Sequence, residues 1–73
     1  MTKQNELIAE YDASLDGIIS GIIHLDLAED SEDEASIQLW MDKLQSQVDR
    51  RDRCVAEIES MGGYIEKAVV FFP

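Results

Sequence analysis

Cysteine, histidine and proline are scarce in this sequence, which has one residue of each type. The single thiol, Cys54, excludes an intramolecular disulfide and a cysteine-rich metal site. Together with the only histidine, His24, it could supply a nucleophile and a base, but no other catalytic motif accompanies them. The chain also lacks a phosphate-binding loop and a nucleotide-binding glycine pattern. We therefore expect neither enzymatic activity nor a cofactor.

Long apolar runs are missing as well. No segment approaches the ~20 consecutive apolar residues that a membrane-spanning helix needs, and the first residues lack the basic-then-apolar order of a secretory signal. A lone cysteine suits a reducing compartment. We expect a cytoplasmic protein that does not engage a membrane.

Basic residues are the third scarcity, because six bases stand against sixteen acids and the net charge is −10. The excess is confined to residues 1–42, which contain eleven acids and one base, whereas residues 43–73 contain five of each. Such a field repels DNA, RNA and anionic lipid and attracts basic surfaces. The only basic cluster, residues 50–53, is too small to bind nucleic acid against this charge, and we expect it to form ion pairs within the chain.

Heptad patterns of apolar residues are what the sequence does contain. Two series in the first third are Ile8, Leu15, Ile22 and Tyr11, Ile18, Leu25. This spacing predicts a coiled-coil-like helix over about residues 3–27. A row of small residues four apart, Ala9, Ala13, Gly17 and Gly21, would allow another backbone to come close. The β-branched run after Gly17 leaves an alternative open, in which the helix breaks there and a short strand follows.

A second heptad series predicts a second helix over about residues 32–61. Its members are Ile37, Met41, Leu44, Val48, Val55 and Ile58, with Arg51 interrupting the series. Ser31 and Glu34 match a capping box at its start, and Gly62-Gly63 offers a left-handed cap at its end. The two helices would be roughly 35 and 40 Å long. Matched lengths favour a mainly α, antiparallel helical hairpin.

The tail, residues 64–73, is β-branched and aromatic and too apolar to remain in water. We expect it to form an extended or β segment that folds back over the hairpin or crosses to a second copy. A homodimeric four-helix bundle would bury what a single hairpin exposes. Residues 1–73 are thus expected to form one domain, alone or as a dimer.

An acidic stretch over residues 26–34, predicted as a loop, holds six acids and no base. It begins like a calcium loop, with Asp26 and Asp30, but the required glycine and later ligands are missing, so we expect no metal site. Helix capping accounts for only part of this charge. Acids along a rigid helix can imitate the phosphate spacing of a duplex and occupy a basic groove. The predicted partner-binding acids are Glu10, Asp12, Asp16, Asp26, Glu29, Asp30, Glu32, Asp33 and Glu34.

In size, helical pattern and these acids, the chain resembles the small acidic proteins that phages and mobile elements use against host nucleic-acid machinery, including anti-CRISPR and anti-restriction proteins. The resemblance implies a stoichiometric inhibitor that blocks DNA access to an effector complex, and hence a protein partner with a basic surface. The alternative is a dimeric helical adaptor that binds through apolar surfaces around Trp40 and the Phe71-Phe72 tail.

Overall fold

The structure is a computed structural model that describes residues 2–73. Helix α1 spans Lys3–Asp30 and helix α2 spans Glu34–Ser60; two short strands follow, β1 at Tyr64–Glu66 and β2 at Val69–Phe71. The helices pack side by side as an antiparallel pair, so the molecule is elongated, 47 × 20 × 18 Å. The predicted mainly α hairpin with a β segment at its C-terminal end is confirmed.

Helix α1 is continuous through the glycines, so the alternative of a break at Gly17 and a strand after it is wrong. Thr2 caps the helix, because its hydroxyl oxygen accepts the amide of Asn5 at 3.1 Å. The helical cost of the two glycines is offset by packing, since both lie against side chains of α2. The helix also continues to Asp30, three residues beyond its predicted end.

The acidic stretch is mostly helical, which corrects the prediction of a loop over residues 26–34. Only residues 31–33 lie between the helices, and Ser31 ends α1 and does not start α2. Its hydroxyl donates to the carbonyl of Ala28 at 2.8 Å. Asp33 caps α2 instead, accepting the amides of Ala35 and Ser36 and the hydroxyl of Ser36. Because α1 extends to Asp30, the Ser31 hydroxyl bonds to the last turn of α1 and does not cap α2.

The core lies at the open end of the hairpin, where the tail folds back. It consists of Leu7 and Tyr11 from α1 with Cys54 and Ile58 from α2, and Ile58 is fully buried. Partly buried side chains surround this cluster: Leu15, Val55, Met61, Ile65, Val70 and Phe72.

One of the two predicted heptad series faces α2 along its whole length, whereas the other turns away after Leu15, which packs against the core. Tyr11 is buried and Ile18 and Leu25 are half-buried, whereas Ile22 of the other series is 53% exposed. The second buried row consists of Leu7, Ser14, Gly21 and Ala28. Small side chains allow close approach of the helices: a Cβ on Gly21 would lie 3.2 Å from Cδ1 of Leu44.

The small residues four apart do not form one contact row as predicted. Gly17 and Gly21 lie against Gln47 and Leu44 of α2, but Ala9 and Ala13 are exposed. A spacing of four drifts around a helix of 3.6 residues per turn, so its ends reach different faces.

Helix α2 ends in the left-handed cap that the two glycines predict, and the cap has the form of a Schellman motif. Gly62 has a φ of 81° and donates its amide to Glu59, and the amide of Gly63 donates to Ile58 at 3.0 Å. The tail then forms an antiparallel β-hairpin in which Tyr64 pairs with Phe71 and Glu66 with Val69. Ile65, Val70 and Phe72 pack onto the helix core. Of the two placements that the sequence left open for the tail, the structure has the fold-back over the hairpin.

Candidate partner-binding surface

One side of the helix pair carries the ion pairs that join α1 to α2. Lys3 contacts Glu57 at 2.9 Å, and Arg50 donates to both carboxylate oxygens of Glu10. Arg51 pairs with Asp52 at 3.0 Å. Arg50 and Arg51 of the basic cluster thus bind acids of the chain itself, in agreement with the sequence prediction.

Glu10 therefore differs from the other predicted partner-binding acids. The hydrogen bonds from Arg50 hold the pKa of the Glu10 carboxyl below its ordinary value, and Glu10 in turn raises the pKa of Arg50. Its charge is compensated within the molecule, so its main role is to join the two helices.

The remaining eight predicted acids are exposed, and none forms an ion pair with a base in residues 2–73. Asp33 has an internal role as the cap of α2, and hydrogen bonds from the hydroxyl and amide of Ser36 lower the pKa of its carboxyl. The negative field of the first part of the sequence is consequently directed into solvent.

These eight acids form two groups on the structure. Asp12, Asp16, Asp26 and Asp30 share the outward face of α1, while the others gather where the two helices meet. That second group, here called the loop-end acids, is Glu29, Glu32, Asp33 and Glu34.

The loop end contains more negative charge than helix stability favours. Asp33 and Glu34 lie at the positive end of the α2 dipole, which stabilises them, but Asp26, Glu29 and Asp30 lie at the negative end of α1. No base is present in the last turn of α1. The helix dipoles therefore stabilise two of these five carboxylates and destabilise the other three.

A line of six residues on the outward face of α1 was missed by sequence reasoning. Steps of four and three residues connect Asp12, Asp16, Ile19, Ile23, Asp26 and Asp30, so their side chains follow one line along the helix. We call it the outer line. Its centre is apolar, with Ile19 57% and Ile23 55% exposed, and Ile22 and Leu27 flank it. The heptad spacing was visible in the sequence, but only the packing of α2 shows that this row faces solvent.

His24 and Cys54 are not brought together as nucleophile and base. The His24 ring stacks on Trp40 at 4.1 Å, and its Nδ1 lies 2.7 Å from the carbonyl oxygen of Ser20. Cys54 is in the core, where its thiol donates to the carbonyl of Leu7 at 3.3 Å. Burial raises the pKa of this thiol, which disfavours the reactive thiolate.

Two aromatic features belong to the apolar surfaces of the alternative hypothesis. Trp40 is half-buried under His24, and the Lys43 ammonium lies 4.7 Å from the centre of its ring. Tyr64 and Phe71 stack at 5.1 Å on the outer face of the β-hairpin, 55% and 41% exposed. Trp40 is thus largely occupied within the chain, whereas the aromatic pair is open.

Neither helix has the apolar length that would let it cross a membrane, within residues 2–73. In the same part of the chain, no three histidine, cysteine or acidic side chains come together as metal ligands would. Comparison of the chain with protein-family models, curated proteins and solved structures gave no match.

Proposed function

We propose that this protein inhibits a nucleic-acid-handling protein or complex by occupying its basic DNA- or RNA-binding surface, in the manner of anti-CRISPR and anti-restriction proteins. The observation that carries the proposal is the set of eight exposed acids that form no ion pair with a base in residues 2–73. Any basic partner of these carboxylates would come from outside residues 2–73. The protein would act as a stoichiometric inhibitor in the cytoplasm of the host cell.

The shape of the molecule supports this role. Helix α1 has 28 residues, which at ~1.5 Å per residue makes a rod of roughly 42 Å. Carboxylates along a rod of that length can displace counterions from a basic groove as a nucleic-acid backbone does. Attraction to the groove would be fast and would weaken with added salt.

The test compares two variants with equal changes in charge. Glu29→Lys/Glu32→Lys/Glu34→Lys reverses three of the loop-end acids and leaves the Asp33 cap intact. Asp42→Lys/Asp49→Lys/Glu59→Lys reverses three exposed acids of α2. The wild type and each variant are immobilised and incubated with bacterial lysate at low and at high salt. The complex that each one captures is then assayed for DNA binding by gel shift.

We expect the wild type and the α2 variant to capture a basic nucleic-acid-binding complex that DNA or high salt releases, and to block its gel shift. The loop-end variant should lose both activities. Equal capture by both variants, or a captured complex that still binds DNA, would count against the proposal.

The second candidate function is a dimeric helical adaptor, and the exposed Tyr64–Phe71 stack favours it, because exposed aromatic pairs often anchor protein interfaces. In that case Tyr64→Ser/Phe71→Ser should abolish self-association or partner binding in sedimentation velocity, and the loop-end reversal should have no effect. A monomer at micromolar concentration whose partner binding survives the aromatic variant would exclude the adaptor.

A further inference from the structure

The outer line of α1 has a composition that is symmetric about its middle. Read along the helix, it runs acid, acid, isoleucine, isoleucine, acid, acid, from Asp12 to Asp30. We propose that it is a docking surface for a positively charged amphipathic helix of the partner protein. This inference rests on the proposed function, because it names the part of the basic partner that the protein contacts.

The centre of the outer line is suited to bury apolar side chains. Ile19, Ile22, Ile23 and Leu27 are each more than half exposed, and they lie within nine consecutive residues of one helix. The contacts of α1 with α2 are on its other side, which includes Leu7, Tyr11 and Gly21. A contiguous aliphatic patch with a charged border is typical of an interface with an apolar core and a polar rim.

The spacing of the acids limits what can cover this patch. Asp16 and Asp26 are ten residues apart, roughly 15 Å along the helix, and Asp12 and Asp30 are roughly 27 Å apart. A partner helix of about 18 residues spans the same length. Leucine or isoleucine at its middle and lysine or arginine towards both ends would match the line. Because the line is symmetric, the partner helix could run in either direction.

The aspartates of the outer line disfavour a second copy of this chain as the partner. If two outer lines packed antiparallel about position 21, Asp16 would face Asp26, and Asp12 would face Asp30, from both chains. If they packed in parallel, each aspartate would face its own counterpart. Like charges placed against one another oppose association and act as a specificity element. DNA and anionic lipid are disfavoured for the same reason, which leaves a basic protein segment.

The test uses a defined probe in place of the natural partner. An 18-residue peptide of leucine and lysine, patterned as an amphipathic helix, is titrated into the full chain by calorimetry. The control peptide keeps every lysine and has serine in place of leucine. Amide chemical shifts of the labelled protein report where each peptide binds.

Two pairs of variants separate the apolar centre from the charged ends. Ile19→Ser/Ile23→Ser is compared with Leu39→Ser/Met41→Ser, which removes side chains of α2 that are 51% and 50% exposed. Asp16→Asn/Asp26→Asn is compared with Asp42→Asn/Asp49→Asn. Since all eight side chains are exposed, the variants should fold, and circular dichroism checks this.

We expect the leucine–lysine peptide to bind one-to-one, with shifts centred on residues 19–27. Each α1 variant should bind at least tenfold more weakly and each α2 variant within twofold of the wild type. The serine peptide should bind at least tenfold more weakly than the leucine–lysine peptide.

Three results would overturn the inference: equal binding of the two peptides, unchanged binding by Ile19→Ser/Ile23→Ser, or a dimer that this variant disperses in sedimentation velocity. If the isoleucine variant binds the peptide normally while the loop-end reversal abolishes capture of the host complex, this inference fails and the proposed function stands. If the peptide results are as expected but the captured complex still binds DNA, only the proposed function fails.

Discussion

Gly63 and Ile58 are linked through both backbone and packing. The amide of Gly63 donates to the carbonyl of Ile58 at 3.0 Å, and a Cβ placed on Gly63 would lie 2.8 Å from Cγ2 of Ile58 and 2.9 Å from the ring of Phe72. Gly63 therefore completes the cap of α2, and its lack of a side chain lets the tail pack against the fully buried Ile58.

Gly63→Ala should lower the free energy of unfolding by about 1–3 kcal/mol, because the new methyl group overpacks the core. Gly17→Ala is the matched control, since the atoms nearest to its Cβ all belong to the side chain of Gln47, which can rotate away, and alanine favours a helix. We expect the control to be clearly less destabilised. Urea unfolding followed by circular dichroism measures both, and a Gly63→Ala protein as stable as the wild type would contradict the packing.

The turn of the β-hairpin uses residues that suit it poorly. Lys67 and Ala68 have φ values of 52° and 62°, the signs required at both central positions of a type I′ turn. Asparagine and glycine adopt these angles with less strain. We expect Lys67→Asn/Ala68→Gly to raise the free energy of unfolding by about 1 kcal/mol or more. Thermal melts of each variant and the wild type provide the measurement. Lys67→Gln/Ala68→Ser keeps two residues with strained backbone angles, so it should have little effect on stability.

Glu32 occupies the position after the C-cap of α1 with a φ of 56°, where glycine is the preferred residue. Glu32→Gly should therefore stabilise the fold by about 1 kcal/mol. Glu32→Gln removes the same charge but keeps the side chain, so a gain that is specific to glycine identifies the backbone as the cause. Equal melting temperatures for the two variants would mean that charge alone matters.

The Glu10–Arg50 pair should make stability depend on pH in the acid range. Because the hydrogen bonds from Arg50 lower the pKa of Glu10 in the folded state, the pair stabilises the protein at pH values above the pKa of the unfolded chain. This contribution is lost as the pH falls through the lowered folded pKa. Glu10→Gln should lose less stability than the wild type between about pH 6 and pH 3.

The control for that comparison is Glu59→Gln, which removes an exposed carboxylate without an ion pair in residues 2–73. It should keep the pH dependence of the wild type. Urea unfolding at a series of pH values provides the measurement. Parallel curves for Glu10→Gln and the wild type would show that the pair contributes nothing to stability.

Much of the fold was predictable because helical periodicity and helix-ending glycines are local features of a sequence. The two heptad patterns predict two helices, and Gly62-Gly63 predicts the end of α2. The helix boundaries around the acidic stretch were less predictable, since Ser31 and Asp33 can both act as caps. Which of them does so depends on how far α1 extends along α2.

The acids of the candidate surface could be identified from composition, but their roles could not. Nothing in the sequence separates Glu10, which pairs with Arg50 forty residues away, from Asp12, which is directed into solvent. The outer line has the same heptad spacing as the buried rows, so spacing alone cannot assign it to the surface.

The sequence by itself determined two helices, their antiparallel connection, an apolar tail and an excess of acid in the first part of the chain. These follow from side-chain spacing, turn residues and charge, which do not depend on distant contacts. Only the tertiary structure decided which face of α1 is buried. Small side chains at Ser14, Gly21 and Ala28 let α2 approach on that face, and close packing there leaves Ile19 and Ile23 in solvent between four aspartates.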